Sequence, residues 1–247
     1  MSISVFLDID DTLLDFLKAE AAALSKTLRE MGVEPREEIL TRYSELNRQQ
    51  WELLEQGLLT REQVLLRRFE LLFDELGLSL SAEETRDRYE RHLSVGHYFM
   101  PGARELLQAL RGRYPLYLVS NGTASVQAGR IASAGIADFF DAIFISEEIG
   151  YEKPRREFFD ACFARIPGFD RRRALIVGDS LSSDIRGGIN AGILSCWYNP
   201  RGREPRADIR PDFCIRELAE LPALLERIER GQAEQPKEAE GFVDFFH

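Results

Sequence analysis

From about residue 100 onward, the sequence alternates short apolar runs with segments long enough to form a helix. The runs are "PLYLVS" (115–120), "AIFIS" (142–146), "ALIVGD" (174–179) and "ILSCWY" (193–198), and "ISVFLD" (3–8) is of the same kind. Apolar residues in these runs are continuous rather than alternating, which is typical of strands buried on both faces. Such strands, when separated by helices, form a parallel sheet covered on both sides. The sequence therefore predicts an α/β fold with a parallel sheet flanked by helices.

The stretch after the first strand is helical in pattern. Apolar residues recur there at helical spacing, in two series: Leu17, Ala21, Leu24, Leu28 and Met31, then Leu65, Phe69, Leu72 and Leu76. A serine in "LGLSLSAEE" is placed to cap a later helix. We predict an all-helical insertion over 15–98, a core formed by 1–14 and 99–230, and a tail over 231–247. The tail is polar and ends in four apolar residues: Phe242, Val243, Phe245 and Phe246.

Composition narrows the possible partners and the compartment. The net charge of −10 argues against a nucleic acid polymer as ligand, although a small anionic substrate fits if the site supplies its own positive charge. No apolar stretch reaches the roughly 18 residues of a membrane span, and no signal peptide is recognisable, so we expect a cytoplasmic protein without a membrane partner. A monomer and a homodimer are equally compatible with the sequence.

Cysteine and histidine offer no metal site. The three cysteines, Cys162, Cys196 and Cys214, are far apart, and we expect them to be small buried core residues. The histidines are not at metal-binding spacing, and we interpret them as structural or exposed: His92, His97 and His247.

Polar side chains follow the predicted strands at the points where the strands end. Asp8 and Asp10 close the first strand, "SNG" (120–122) closes the next, Lys153 follows "AIFIS", and Asp179 closes a later strand. Ligands of open parallel sheets bind beyond the carboxyl ends of the strands, so these groups should meet. Clustered carboxylates need compensation, and a divalent cation beside a phosphate supplies it. The set therefore suits phosphoryl transfer assisted by a metal.

Four of these segments resemble a known family. "DIDDT", "VSNG", "EKP" and "GDSLSSD" are similar, in order and in strand-end position, to the four motifs of the haloacid dehalogenase-like (HAD) phosphatases. The resemblance spans residues 3 to about 228, and the helical insertion resembles the helical cap of the family. It implies a Rossmann-like HAD core with an inserted all-helical cap.

The resemblance also implies roles for the acids. Asp8 would be the nucleophile that forms an aspartyl-phosphate, and Asp10 the acid and then the base of the two steps. Asp8, the main-chain carbonyl of Asp10 and Asp179 would hold Mg²⁺, a hard cation that prefers oxygen ligands. Asp184 would support the metal site or Lys153 without being one of the metal ligands itself. It could equally begin or stabilise the helix that follows.

The remaining motif residues would bind the phosphate. Ser120 and the amides around Asn121 and Gly122 would contact the phosphoryl oxygens, and Lys153 would neutralise both the nucleophile and the transferring group. Two neighbours of the first motif have local roles in our interpretation: Asp11 is a capping or surface acid, and Thr12 is a structural hydrogen-bonding residue.

Further segments narrow the expected substrate. "DDTLLDF", "LNRQQWELLEQGLLTREQV" and "CWYNP" are similar to the pyrimidine 5′-nucleotidases among the HAD phosphatases. Trp51 and Tyr43 lie in the helical insertion, where aromatic side chains are more often packing residues than ligand contacts. The alternative is that Trp51, with Arg48 and Gln49, stacks on a base and binds its edge. Sugar phosphates, such as N-acylneuraminate 9-phosphate, and a phosphosugar mutase remain open alternatives.

Two other functions fit less well. Dehalogenase chemistry needs neither an acid for an alkoxide nor a metal, so Asp10 and Asp179 argue against it. A phosphoacceptor receiver domain is about half as long, carries no helical insertion and has its acids in a different order.

Overall fold

The computed structural model describes residues 2–231 and places a parallel sheet at the centre of the molecule. Its strands are β1 (Ser4–Asp8), β2 (Leu116–Ser120), β3 (Ala142–Ile145), β4 (Ala174–Gly178), β5 (Leu194–Tyr198) and β6 (Phe213–Ile215). The strand order is β3-β2-β1-β4-β5-β6, and every neighbouring pair is parallel. The predicted α/β fold is confirmed. β1 lies between β2 and β4, where the strand order reverses, and such a reversal opens a crevice at the carboxyl end of the sheet.

Helices cover both faces of this sheet and form a separate group after β1. They are α1 (Phe16–Glu30), α2 (Glu37–Glu55), α3 (Arg61–Leu76), α4 (Ala82–Leu93), α5 (Ala103–Leu110), α6 (Ala124–Ala134), α7 (Ser146–Ile149), α8 (Arg156–Phe163), α9 (Arg186–Ala191) and α10 (Leu221–Glu229). Val5 and Leu7 of β1 belong to one apolar cluster and Phe6 to another, because alternate side chains point to opposite faces. Burial on both faces explains why the strands are continuously apolar.

Helices α1 to α4, residues 16–93, pack on one another and are called the helical insertion here. Their shared core contains Leu28, Tyr43, Phe69, Leu72 and Tyr89. The N-cap side chains of α1, α3 and α4 each accept a main-chain hydrogen bond: Asp15, Thr60 and Ser81. These caps and apolar stripes explain why the sequence between β1 and α5 forms helices.

Two chain segments join the helical insertion to the rest of the molecule. One runs from residue 9 to 15, and the other, called the 94–99 connector here, follows α4. They lie side by side: Asp15 N donates to the Tyr98 carbonyl at 2.7 Å, and Met100 N donates to the Leu13 carbonyl at 2.9 Å. A displacement of one segment therefore acts directly on the other.

The structure corrects one prediction for the cysteines and adds a strand. Cys162 and Cys196 are buried as predicted, but Cys214 is exposed. It lies in the middle of β6, a strand of three residues at the edge of the sheet whose central side chain points outward. The sequence analysis missed this strand, since three residues are too few for a pattern.

Residues 232–247 lie outside the described part of the chain. Of the predicted tail, only Gly231 is described. The apolar end of the tail and His247 lie outside the described residues. Within residues 2–231, no helix is both long and apolar enough to cross a membrane.

Candidate active site

The carboxylate of Asp8 lies at the end of the central strand, between a lysine and a threonine. Lys153 Nζ donates to Asp8 Oδ1 at 2.7 Å, and Thr12 Oγ1 donates to Asp8 Oδ2 at 3.1 Å. Lys153 Nζ also donates to Asp184 Oδ1 at 2.7 Å and to the Val119 carbonyl at 3.2 Å. All three ammonium donors are thus used, and the lysine side chain is only 2% exposed.

Burial and charge together set the ionisation of this lysine. Burial alone would lower the pKa of Lys153, but the carboxylates of Asp184 and Asp8 outweigh it and raise the pKa above its usual value. The ammonium group is therefore charged at every working pH, and it offsets the charge of the two acids beside it.

Asn121 ties the three loops of the site together. Its Nδ2 donates to the Lys153 carbonyl, and its Oδ1 accepts from Lys153 N, each at 2.8 Å. Nδ2 also donates to Ser183 Oγ at 3.3 Å. The loops after β2, β3 and β4 are linked in this way, so the Asn121 side chain has a structural role in addition to the phosphate contact expected of its amide.

Ser120 is arranged to donate a hydrogen bond into the site. Its Oγ accepts from Gly122 N at 3.0 Å and from Gln127 Nε2 at 2.8 Å. A hydroxyl has two acceptor lone pairs and one proton, so its proton is left for a ligand oxygen. Gly122 permits this arrangement, because a Cβ there would lie 2.4 Å from Gln127 Nε2.

Three carboxylates meet beside Lys153. Oxygen atoms of Asp8, Asp179 and Asp184 all lie within 4.8 Å of one another. Asp184 comes from a turn of π-helix, Leu181–Ile185, and approaches closely because Gly178 has no side chain: a Cβ there would be 2.2 Å from the Asp184 carboxyl. The sequence predicted Asp184 as a supporting or helix-starting residue, and the structure places its carboxylate within the cluster.

The pKa values of this cluster show that its negative charge is incompletely balanced. Burial, followed by the Asp184 carboxylate, raises the pKa of Asp8 well above its usual value. Burial, then Asp184 and Asp11, raises the pKa of Asp179 to about 7, although Arg203 donates to Asp179 Oδ2 at 3.1 Å. A site composed of carboxylate oxygens suits a hard divalent cation such as Mg²⁺, so the residues present fit the predicted metal.

The side chain of Asp10 turns toward helix α6. It forms an ion pair with Arg130 Nη1 and accepts from Gln127 Nε2 at 2.7 Å. Arg130 and Gln127 could not be identified as site residues from the sequence. Neither belongs to a motif, and only the packing of α6 beside β1 brings them to the site.

Asp11 and Thr12 have the local roles that the sequence predicts. Asp11 has a left-handed backbone conformation, φ 57°, and its carboxylate accepts from Phe16 N at 2.9 Å at the start of α1. Thr12 Oγ1 links two motifs, since it donates to Asp8 and accepts from Asp179 N at 3.1 Å.

A cavity of about 190 Å³ extends from these groups toward the helical insertion. Asp8 and Lys153 lie at one end, and its apolar wall is formed by Phe16, Trp51, Leu65, Leu93 and Val126. Arg68, Glu90 and Glu55 add charged groups to the lining. A phosphate at Asp8 would thus leave an organic substituent between aromatic and apolar side chains.

Of the predicted base-binding residues, one lines the cavity and two are exposed on the surface of α2. Trp51 lines the cavity, and its Nε1 donates to Asn47 Oδ1 at 3.1 Å. Arg48 is exposed and pairs with Glu52 at 2.7 Å, and Gln49 is exposed as well. Tyr43 is buried against Phe69 and Tyr89, as expected of a packing residue. Trp51 is therefore the member of the predicted set that lines this cavity.

The helical insertion also reaches the loops after β2 and β3 through Arg61. From the start of α3, its Nη1 donates to the Asn121 carbonyl at 2.7 Å, and its Nη2 donates to Ser146 Oγ at 2.6 Å. Arg61 lies within the quoted segment 46–64, but that resemblance assigned it no role, and its contact with the loops after β2 and β3 could not be predicted from the sequence.

The pKa of Asp179 predicts how stability depends on pH without Mg²⁺. Its carboxyl has a pKa of about 7 in the folded protein against 3.8 ordinarily, so between these pH values only the folded state holds the proton. Raising the pH removes this proton, and the free energy of unfolding should fall. We expect Tm in EDTA to decrease from about pH 5 to about pH 8, and to decrease less in Asp179→Asn, which has no proton to lose.

Magnesium provides the complementary measurement. A cation binds the deprotonated acids, so Mg²⁺ should raise Tm more at high pH than at low pH, and EDTA should abolish phosphate release. An equal rise in Tm for wild type and Asp179→Asn would contradict the assignment of Asp179 to the metal site.

Comparison with known proteins identifies the family. The model of the haloacid dehalogenase-like hydrolases matches residues 4–192. The magnesium-bound crystal structure of the HAD-hydrolase YfnB from Bacillus subtilis, in which interdomain movement is described, superposes with a TM-score of 0.87 at 37% identity and covers 91% of this chain and 98% of that one.

Two related enzymes are pyrimidine 5′-nucleotidases. PynA of Streptococcus pneumoniae is 34% identical over 224 residues, 90% of this chain and 94% of PynA. YjjG of Escherichia coli is 33% identical over 221 residues, 90% of this chain and 96% of YjjG. The four motifs, the strand-end acids and these matches agree, and the chain belongs to the haloacid dehalogenase-like hydrolases, with a phosphatase as its enzyme class.

Proposed function

We propose that this phosphatase is a Mg²⁺-dependent 5′-nucleotidase that hydrolyses pyrimidine nucleoside monophosphates through an aspartyl-phosphate on Asp8. The observation that carries the proposal is the Asp8 carboxylate. It is held by Lys153 and Thr12 at the end of the central strand, beside two further acids and facing a partly apolar cavity.

The first step uses Asp8 as the nucleophile and Asp10 as the acid. An Asp8 oxygen attacks phosphorus, and the bond between phosphorus and the 5′ oxygen of the nucleoside breaks. Asp10 donates a proton to the departing oxygen, which leaves as a neutral alcohol. Lys153 offsets the charge of the nucleophile and the phosphoryl group, while Ser120 and the main-chain amides around Asn121 hold the phosphoryl oxygens.

The second step regenerates the enzyme. Asp10, now ionised, takes a proton from a water molecule that attacks phosphorus, and the bond between phosphorus and Asp8 breaks to release phosphate. Asp8 and Asp179, with Asp184 beside them and the main-chain carbonyl of Asp10, would hold Mg²⁺. The cation would neutralise the charge on the phosphoryl oxygens.

The helical insertion would act as a cap over the core. We propose residues 15–98 as the cap and residues 1–14 and 99–230 as the core, as the sequence suggests. Arg61 supports this division, because its guanidinium extends from α3 to the main chain of the phosphate loop. Closure of the cap over a bound substrate would exclude bulk water from the site.

The cavity wall supports a nucleoside as the organic part of the substrate. Trp51 and Phe16 provide aromatic surface for stacking. Arg68 and Glu90, whose Nη2 and Oε1 lie 3.9 Å apart, add a charged pair that a polar base edge could contact. The base edge of a pyrimidine carries both donors and acceptors. The two related pyrimidine 5′-nucleotidases, which span nearly the whole chain, support the same choice.

A panel of phosphate monoesters tests the substrate. We expect kcat/KM with Mg²⁺ to be higher for UMP, dUMP and dTMP than for purine nucleotides or sugar phosphates, because the aromatic wall suits a small base. Phosphate release at several substrate concentrations measures this. A clear preference for sugar phosphates, including N-acylneuraminate 9-phosphate, would overturn the nucleotidase assignment and leave only the phosphatase. Retention of a bisphosphate intermediate would indicate a mutase.

A further inference from the structure

Helix α6 is packed directly against the 94–99 connector. Gly129 allows the close approach, because a Cβ there would lie 2.7 Å from the Ser94 carbonyl oxygen. One turn later, Ser133 Oγ donates to the Val95 carbonyl at 3.1 Å. Between these two positions, Arg130 Nε donates to the Gly96 carbonyl at 3.1 Å. The position of the connector is therefore transmitted to one face of α6.

The other end of the Arg130 guanidinium reaches the active site. Nη1 pairs with Asp10 and also donates to Gln127 Oε1 at 3.0 Å, while Gln127 Nε2 donates to Asp10. The guanidinium carbon lies 5.5 Å from the centre of the Phe16 ring, at the start of α1. The side chain is fully buried, and Nη2 has no hydrogen-bond partner within residues 2–231.

This geometry connects the 94–99 connector with Asp10, the proposed acid. A guanidinium is planar and rigid, so its donors cannot move independently of one another. A displacement of the Gly96 carbonyl would turn the whole group and redirect Nη1. The carboxylate of Asp10 would then lose the partner that fixes its direction.

We propose that Arg130 is a positioning residue that orients the Asp10 carboxylate for proton transfer and makes this orientation depend on the 94–99 connector. The proposal rests on the role of Asp10 in the proposed function. Arg130 does not contact the reacting atoms but acts through Asp10 and Gln127.

The choice of leaving group separates positioning from general structural support. The 5′ alkoxide of UMP needs a proton as it departs, whereas p-nitrophenolate is a stable anion that needs none. The value of kcat/KM reports steps up to the first irreversible one, here transfer to Asp8. We expect Arg130→Lys to lower kcat/KM about 100-fold for UMP and less than about 10-fold for p-nitrophenyl phosphate.

Three further variants complete the experiment. Asp10→Asn should show the same asymmetry between the two substrates. Gly129→Ala should push the connector away from α6 and show a weaker form of this asymmetry between the substrates. Arg171→Lys is the matched control, because Arg171 also bridges a carboxylate, Asp160, and a main-chain carbonyl, at Ala191, but lies before β4 at the opposite end of the sheet. Its activity should be unchanged on both substrates.

The outcomes distinguish this inference from the function on which it rests. Equal losses on both substrates in Arg130→Lys, with asymmetry in Asp10→Asn, would overturn the positioning role alone. Symmetric behaviour of Asp10→Asn would overturn the acid role of Asp10 as well. If Arg130→Lys does not fold, Gly129→Ala decides, since it leaves Arg130 and Asp10 in place and moves the connector. Equal effects of Gly129→Ala on both substrates would then overturn the positioning role.

Discussion

Asp8→Asn is expected to abolish phosphatase turnover while the protein remains folded. The amide is nearly the same size as the carboxylate, but its nitrogen and oxygen cannot attack phosphorus as a carboxylate oxygen does. Loss of the nucleophile should lower kcat by at least about 10⁴-fold. Phosphate release from UMP with Mg²⁺ measures the loss, and circular dichroism with thermal unfolding checks the fold.

The same substitution should not destabilise the protein. Burial and the Asp184 carboxylate raise the pKa of Asp8, which means that its ionised form is unfavourable in the folded state. A neutral amide removes one of three crowded acids, while Lys153 keeps Asp184 as a partner. We therefore expect Tm at neutral pH and without Mg²⁺ to stay the same or rise.

Asp11→Asn is the matched control for this variant. It makes the same chemical change three residues further along, at a position with φ 57°, which asparagine tolerates. Asp11 caps α1 and does not line the cavity that Asp8 faces, and it reaches the site only through its charge, which contributes to the raised pKa of Asp179. Activity should therefore remain within a few-fold of wild type. Substantial turnover by Asp8→Asn, or equal losses in both variants, would remove Asp8 from the role of nucleophile.

The motif residues could be placed from the sequence because parallel strands fix where their ends meet. Asp8 and Lys153 are 145 positions apart in the chain, yet their side chains are 2.7 Å apart. Each follows an apolar run, and the carboxyl ends of such runs converge at one edge of the sheet. The sheet order did not need to be known for this inference, since every predicted strand contributes to the same edge.

The helical partners of the site could not be placed in this way. Arg130, Gln127 and Arg61 lie on helices, where sequence periodicity distinguishes an apolar face from a polar one. It does not show which neighbour the polar face meets. Arg130 looks like an exposed arginine in the sequence, but it is fully buried because α6 is packed against both the connector and Asp10. Helix orientation relative to the sheet decides such contacts.

Helix orientation also decides which of the three predicted base-binding residues on α2 lines the cavity. Trp51, Arg48 and Gln49 are close in sequence, but successive helical residues point in directions about 100° apart. Only the direction of Trp51 coincides with the cavity, while Arg48 and Gln49 are exposed. A helical segment that resembles a nucleotidase therefore does not identify which of its side chains meets the substrate.

Lys153→Met should remove most activity and much stability together. Methionine fills a similar volume, but it leaves the buried carboxylates of Asp8 and Asp184 without the ammonium that contacts both. Breaking a buried ion pair by removing one partner costs about 3–5 kcal/mol in the free energy of unfolding. We expect the loss to be larger at about pH 8 than at about pH 6, because a shared proton relieves the repulsion at lower pH. Denaturant unfolding at both pH values measures it.

A double variant separates the charge effect from a packing defect. In Asp8→Asn with Lys153→Met, one of the two unpaired acids is gone, so part of the lost stability should return although the packing change at residue 153 remains. Lys26→Met, at an exposed position of α1, is the matched control and should change neither stability nor activity. If the double variant is no more stable than Lys153→Met, packing rather than charge holds this lysine in place. In that case the balance between one ammonium and the crowded acids is not what stabilises the site.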